Sequence, residues 1–298
     1  PTVSAWPTAT GITYGQTLAS ATLSGGSATP TGTFAYDNSA TVPPAGTYSA
    51  PVTFTPTDAA NYNTVAGNVD VEVATATPTV SSDPVSDIAD ITATGNGDIT
   101  YTGGANITER GIYYSQTDGF ADGAGTKVST TGSWSATGTF TQAITGLTAN
   151  TTYYVKAFAT NSEGTSYGAQ VSFTTLKTDQ TITFGALADV TYGDANYAPG
   201  ATASSGLTVT YSSSDEAVAT IVSGQIHIVG AGTCTIYADQ AGNSTYNAAI
   251  QVPQSLTVNQ ATPTVSAWPT AAGITYGQTL LSATLSGGSA TPTGTFAY

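Results

Sequence analysis

Short runs that alternate apolar and polar residues, cut by Gly, Asn, Asp and Pro at roughly 8–12-residue intervals, restrict this chain more than any other feature. NVDVEV (68–73) puts Val69, Val71 and Val73 on one side and Asp70 and Glu72 on the other, the period of a half-buried strand. PVTFT (51–55) does the same with Val52 and Phe54, and TYYVKAFATN (152–161) gathers Tyr153, Val155, Ala157 and Ala159. VSF (171–173) pairs Val171 with Phe173, while GQIHIVG (224–230) and TCTIYA (233–238) read as strands joined at Gly230-Ala231-Gly232. Helix formers are scarce, with four Glu, three Lys and no Met, whereas Thr makes up about a fifth of the 298 residues and suits a pleated surface. The pattern predicts an all-β chain of sandwiches in series rather than a parallel α/β sheet.

The chain also restarts. Pro1–Tyr36 returns as Pro263–Tyr298 with 34 of 36 positions identical, the exceptions being Thr10 against Ala272 and Ala19 against Leu281. An offset of 262 residues is far longer than a solenoid repeat and equals several whole domains. ATPTV occurs at 76–80 and again at 261–265, and TTLKTDQT (174–181) suggests a further boundary. These positions divide the chain into segment A (1–76), B (77–176), C (177–260) and the first half of a second A (261–298). A and C share an ordered set of landmarks: an early TYG (13–15 and 191–193), a later AGT (45–47 and 231–233) and a closing YN (62–63 and 246–247). The second A stops before the counterpart of AGTYSAPVTF; half a sandwich would leave apolar faces and strand edges open, so a longer molecule is expected.

Charge narrows the function classes. Only 7% of residues are charged, and 18 acidic against four basic residues give a net charge of −14. The four cations, Arg110, Lys127, Lys156 and Lys177, are scattered, which argues against nucleic acid and against an anionic membrane surface. A 40% apolar fraction with 17 Tyr, eight Phe and three Trp opposes disorder. No apolar run approaches the ~18–20 residues of a membrane helix. The single cysteine, Cys234, makes no intrachain disulfide. Faces of Thr, Ser, Asn and Gly fit an exported bacterial repeat protein, so an extracellular or cell-surface location is expected.

Two stretches carry family resemblances. YSSSDEAVATIVSGQIHIVGAGTCTI (211–236) resembles the bacterial Ig-like domains of surface proteins, with their Ser-Ser-Asp turn, Val-Ala-Thr strand and Ala-Gly-Thr strand. GLTANTTYYVKAFATNSEGTSYG (146–168) with VSFTT resembles the closing strands of a fibronectin type III domain. That resemblance implies a tyrosine corner, Leu147 to Tyr153, in which the phenol hydroxyl bonds nearby backbone. Ala149 stands where the family usually has Pro, and IADITATG (88–95) lacks its usual core Trp. Segment A resembles, mainly through C, the repeat domains of very large bacterial adhesins or fibre proteins. Such families imply a fold rather than an activity.

The residues that chemistry would need do not converge. His227, the only histidine, lies between Ile226 and Ile228 on a strand and faces away from them; it has no second His or nearby Cys for a triad or zinc site. Cys234 aligns with Tyr48 of A, each following Ala-Gly-Thr, and reads as a core filler. Glu72, Glu109, Glu163 and Glu216 fall on separate strands and turns, a poor start for a two-carboxylate glycosidase. Asp118 and Asp122 in DGFADG (118–123) are the calcium candidates, with Asp83, Asp87 and Asp90 a weaker set; neither has the Asp alternation of an EF-hand. Asn106, Asn150 and Asn243 head Asn-X-Ser/Thr triplets, which a Thr-rich chain generates by chance. Lysine is absent from A and most of C, so Lys–Asn isopeptide crosslinks cannot hold the array together. Tyr154, Lys156 and Phe158 form the one outward aromatic row, either covered by the lysine stem or packed against a neighbouring domain or chain.

The expectation is therefore no catalytic residue, no cofactor and no metal beyond the calcium candidates. Sandwiches of ~100 residues, each with a radius of gyration near ~13 Å, would span on the order of 100 Å if three ran end to end. The function expected is a non-catalytic stalk or spacer in a long extracellular bacterial surface protein. A self-assembling fibre or sheath is the alternative, and a glycan-binding accessory module of a secreted enzyme a weaker one. The partners expected are further copies of the repeat in the same chain, neighbouring chains in a fibre, or a surface or glycan ligand.

Overall fold

The computed structural model describes residues 1–298 and is almost entirely strand and turn, with two single-turn 3-10 helices at Leu18–Ser20 and Leu280–Ser282. The chain divides into two compact units, Pro1–Thr178 and Asp179–Tyr298. No helix is long and apolar enough to cross a membrane.

The first unit opens with a sandwich of eight strands: β1 (Thr2–Ala5), β2 (Thr8–Ala9), β3 (Ile12–Thr13), β4 (Leu23–Ser24), β5 (Ser27–Thr29), β6 (Gly32–Tyr36), β7 (Gly46–Pro56) and β8 (Val65–Ala74). Its main sheet has the order β3-β8-β7-β6, with β3 parallel to β8 and the other pairs antiparallel. The alternation of NVDVEV is realised directly: Val69, Val71 and Val73 are buried, and Asp70 and Glu72 are exposed. Val71 and Val73 pack with Ile12, Leu18, Ala21 and Ala50. The ladders β1–β5 and β2–β4 bring Trp6 over Gly67 of β8, where a Cβ would overlap the indole, and edge-on to Phe34 at 5.6 Å between ring centroids.

The second sandwich comprises β9 (Thr79–Ser86), β10 (Thr92–Tyr101), β11 (Ile107–Ser115), β12 (Thr126–Trp134), β13 (Gly138–Thr145), β14 (Thr152–Asn161), β15 (Gly164–Tyr167) and β16 (Val171–Thr174). One sheet has the order β13-β10-β9; the other runs β12-β11-β14, with β15 and β16 pairing successive halves of β14 as one broken strand. This is a fibronectin III-like sandwich. Its core joins Ile99, Ile112, Ile144, Tyr153, Val155, Ala157 and Phe173 from both sheets. The missing core Trp is accommodated by a small residue: Gly95 on β10 lies against the side chains of Ile112 and Ile144. The tyrosine corner is present, and the Thr148 N–H donates to the Tyr153 hydroxyl at 3.0 Å.

In the second unit lie β17 (Ile182–Thr183), β18 (Val190–Thr191), β19 (Thr202–Ala203), β20 (Thr210–Ser213), β21 (Ala219–Val222), β22 (Gln225–Ile228), β23 (Gly232–Asp239) and β24 (Val252–Asn259). The main sheet order, β18-β24-β23-β20 with a parallel β18–β24 pair, matches that of the first sandwich. Gly232 pairs Val258 and Cys234 pairs Leu256, as Gly46 pairs Val73 and Tyr48 pairs Val71. The likeness of A and C in the sequence is thus a shared register.

Residues 264–291 rebuild the small ladders alone, as β25 (Thr264–Ala267), β26 (Thr270–Ala271), β27 (Leu285–Ser286) and β28 (Ser289–Thr291). Their registers repeat those of β1–β5 and β2–β4: Val265 pairs Ala290 as Val3 pairs Ala28. Burial is not repeated. Leu18 is 1% exposed and its counterpart Leu280 is 62% exposed; Trp268 stands 76% exposed. The hairpin β7–β8 covers this face in the first copy. Placing a Leu there inside rather than outside is worth about 1.5–3 kcal/mol. Substituting Gly67→Ala should therefore destabilise the first sandwich by about 1–3 kcal/mol through the clash with Trp6. Trp268→Ala should cost less than about 0.5 kcal/mol, and urea titration followed by amide exchange would distinguish the two.

Candidate functional site: the joint between the first two sandwiches

A closely bonded polar joint lies where β8 hands over to β9. The Tyr14-Gly15 turn follows β3 and is held by Tyr14 N–H donating to Ala74 O at 2.8 Å and Thr13 N–H donating to Gln16 Oε1 at 2.8 Å. Onto this turn the second sandwich places Tyr101, the last residue of β10. The two rings lie 5.5 Å apart, and the Tyr101 hydroxyl donates to the Tyr14 carbonyl. Burial, followed by the neighbouring Tyr14, pushes the Tyr101 phenol above its ordinary value, so it stays a donor.

Gly103 and Gly104 permit the approach. Both have positive φ (74° and 77°), and a Cβ on Gly103 would overlap the Ala76 carbonyl oxygen. On Gly104 it would stand 2.7 Å from the Tyr14 ring and 2.9 Å from Ala45. Gly is the residue suited to both demands. The linker is then tied at each polar atom of one residue: Ala76 N–H donates to Gly103 O at 2.8 Å, and Asn161 Nδ2 donates to Ala76 O at 2.7 Å. Asn161 is buried, its amide also bonds Thr102 O at 2.9 Å, and its Oδ1 accepts from Glu163 N–H. Outside this core Thr75 Oγ1 donates to the Glu163 carboxylate at 2.6 Å. The Thr75 and Ser162 hydroxyls hold Glu163 below the usual carboxylate range.

The residues singled out in the sequence are placed differently. Asp122 accepts from Lys156 Nζ at 2.7 Å, whereas Asp118 accepts from Gln170 Nε2 at 2.7 Å, so each carboxylate is turned to its own partner. No group of three or more His, Cys, Asp or Glu side chains forms that could hold a metal. Asp83, Asp87 and Asp90 bond Ser81, Ser86 and Thr178 respectively. The outward row is covered from within its own sandwich. Phe158 is 1% exposed, against Tyr113 at 5.0 Å and Tyr167 at 6.3 Å, with Lys127 Nζ 5.0 Å from its ring. Lys156 lies 5.2 Å over Phe120, and Tyr154 is half-buried. Phe158 points away from Tyr153 and Val155 as the alternation demands, yet it does not form a free surface, because Tyr113 and Tyr167 close over it.

His227 is exposed beside Asn196 (2.8 Å), and burial pushes the Cys234 thiol up, away from thiolate. Glu72 accepts from Thr47, and Glu109 from Lys127 and Ser129. Asn106 bonds Ser133, and Asn243 Oδ1 caps its own turn at Thr245 and Tyr246. Asn150 adopts a left-handed φ of 48°. The sequence reading missed Tyr14, Tyr101, Gly103, Gly104 and Asn161; a double glycine two residues after a strand-end tyrosine was the available signal.

No family model matches the chain, and no curated protein matches it. Among solved structures, the sensor domain of the anti-sigma factor RsgI4 from Pseudobacteroides cellulosolvens is similar over 34% of this chain and 96% of its own. Its identity is 18% and its TM-score 0.27. Immunoglobulin domains 1–5 of Sidekick-1 are similar over 87% of this chain and 60% of that one, at 12% identity and a TM-score of 0.30. The N-terminal part of the bacterial S-layer protein SbsC covers 61% of this chain and 44% of its own, at 18% identity and a TM-score of 0.20. By its own strand order and cores, the chain is a succession of Ig-like and fibronectin III-like β-sandwiches.

Two outcomes follow from these contacts. Gly103→Ala should cost about 2 kcal/mol or more, from the left-handed backbone and the displaced Ala76 carbonyl. Asn161→Ala should cost about 1–3 kcal/mol by stranding two carbonyls; both should speed amide exchange at Ala76 tenfold or more. Separately, the Lys127 ammonium and then the Ser129 hydroxyl hold Glu109 below its ordinary value, against the opposing effect of burial. A depressed carboxylate contributes stability above its unfolded pKa and loses that contribution as pH falls through its folded pKa. Because the two side chains remain 38% and 24% exposed, the effect is small. Acid titration of stability should be shallower in Glu109→Gln than in the parent chain.

Proposed function

We propose that this chain is a non-catalytic structural segment of a long extracellular bacterial surface protein, in which the sandwiches act as spacers. The observation that carries the reading is the closed joint of the first unit. A spacer transmits direction only if successive domains resist bending, and here the Gly103 carbonyl and the buried Asn161 amide tie the linker residue Ala76 on both its polar atoms, while the Tyr101 phenol bonds the Tyr14 carbonyl. The Asn161 side chain there is taken up wholly in backbone bonds, to Ala76 O, Thr102 O and Glu163 N–H. Three of the four cations support the same reading, since Arg110, Lys127 and Lys156 are each spent on aromatic rings of their own sandwich.

The fibre reading has one observation in its favour. Strand β12 is a nine-residue sheet edge whose single charge is Lys127, and long edges with little charge invite pairing with another chain. Electron microscopy of the native material separates the two. Separate strings of beads are the expected result; a bundled or helical lattice with large interchain interfaces would overturn the spacer reading in favour of the fibre.

A further inference from the structure

Charge is distributed unevenly around the second sandwich. Its β12 and β13 are the outer strands of the two sheets and meet along one side, where Gln142 Nε2 of β13 donates to Thr130 Oγ1 of β12 at 3.0 Å. Arg110 bridges the gap between them, its guanidinium 4.2 Å from the Trp134 ring and 5.4 Å from Phe140. No acidic residue lies on either strand. Their one cation, Lys127, is turned back over its own sheet, 2.7 Å from Glu109 and 5.0 Å from the Phe158 ring. In a chain of net charge −14 this side is therefore close to neutral. Other sheet edges offer less. β6 and β20 have five and four residues, β9 carries Asp83 and Pro84, and β15 and β16 are separate short strands. β12 pairs β11 without a break from Thr126 to Thr131, and the register shifts only beyond, toward Trp134. Its other edge meets no strand, and every residue of this run but Val128 is exposed.

We propose that this edge is a self-pairing surface: β12 of one copy of the chain pairs antiparallel with β12 of a second copy, about a two-fold axis at Ser129. In that register Val128 faces Thr130 of the other copy, and Lys127 faces Thr131. The two Lys127 are then four residues apart, about 13 Å along the strands, farther than the ~8 Å screening length of physiological salt. Chemistry and charge select the occupant. The chain's own ladders repeatedly set hydroxyl against hydroxyl: Ser4 with Ser27 at 2.7 Å, Thr152 with Thr174 at 2.9 Å and Thr160 with Thr165 at 2.7 Å. Thr126, Ser129, Thr130 and Thr131 give β12 the same character, so the strand that matches it is its own copy. Two copies of so acidic a chain repel one another over most of their surface, and the β12 side is where that repulsion is least. An isologous contact closes on two copies, and an edge-to-edge contact belongs with the small, weak interfaces. It pairs spacers without building a lattice, so the proposal goes beyond the spacer reading and does not rest on it.

The test uses the full 298-residue chain. A contact this weak calls for sedimentation velocity and amide NMR from about 10 μM to about 1 mM. Over that range the mean mass should rise toward that of two chains, and more steeply in high salt, because screening relieves the repulsion between acidic copies. Amide exchange should slow at alternate residues between Thr126 and Thr131, those whose N–H groups face away from β11. Ser129→Lys sets two ammonium groups face to face at the axis and should weaken pairing about tenfold or more. Ser172→Lys, the same change of charge on β16 at the opposite edge, should leave pairing unaltered. Unchanged amide shifts for Ile99, Ile112 and Ile144 in Ser129→Lys would show that its core is intact. A chain that stays monomeric at the top of the range in high salt would overturn the proposal. So would slowed exchange confined to residues outside β12, or a dimer that Ser129→Lys leaves intact.

Discussion

The antiparallel pairing of the long strands, β7 on β8, β11 on β14 and β23 on β24, is the interaction on which each sandwich depends. Each pair lays a row of alternate side chains, such as Val52 and Phe54 with Val69 and Val71, into one plane, and the short ladders have nothing to cover until that plane exists. The same 36-residue text forms the same small ladders twice, and Leu18 is enclosed where Ala50, Val71 and Val73 of β7 and β8 pack against it. Local pairing needs only neighbours a few residues away, whereas burial needs a second layer.

Once the sheets are set, their ends become the working surfaces. Strand ends carry turns, and turns can offer groups that a pleated face cannot: a bare carbonyl, a left-handed glycine, an aromatic ring in profile. The first joint uses all three. It is closed by close backbone approach, which glycine permits by removing Cβ, and by pairing buried carbonyls, as Asn161 does for Ala76 and Thr102. An unpaired carbonyl there would cost more than the contact gains.

Much of the fold was readable in advance because strand periodicity is local. NVDVEV, QIHI and TYYVKAFATN alternate as read, the Tyr153 corner forms, and Cys234 takes the core position of Tyr48. The outward row at Tyr154, Lys156 and Phe158 left two readings open, and the cover over Phe158 comes from Tyr113 and Tyr167. Tyr113 and Tyr167 lie 45 and nine residues from Phe158, on strands whose neighbours only the sheet order decides. The joint was missed for the same reason: Tyr14 and Tyr101 are 87 residues apart, and nothing in either stretch names the other.

By itself, then, the sequence determined which residues are strands, which way each side chain points, where turns fall, and that one unit recurs after 262 residues. These follow from backbone geometry, which a few adjacent residues settle. Only the tertiary structure decided which outward faces are covered, and that the Tyr14-Gly15 turn receives the Tyr101 phenol. Those outcomes turn on what packs against a residue, and packing partners are set by strand order and by domain succession rather than by the local text.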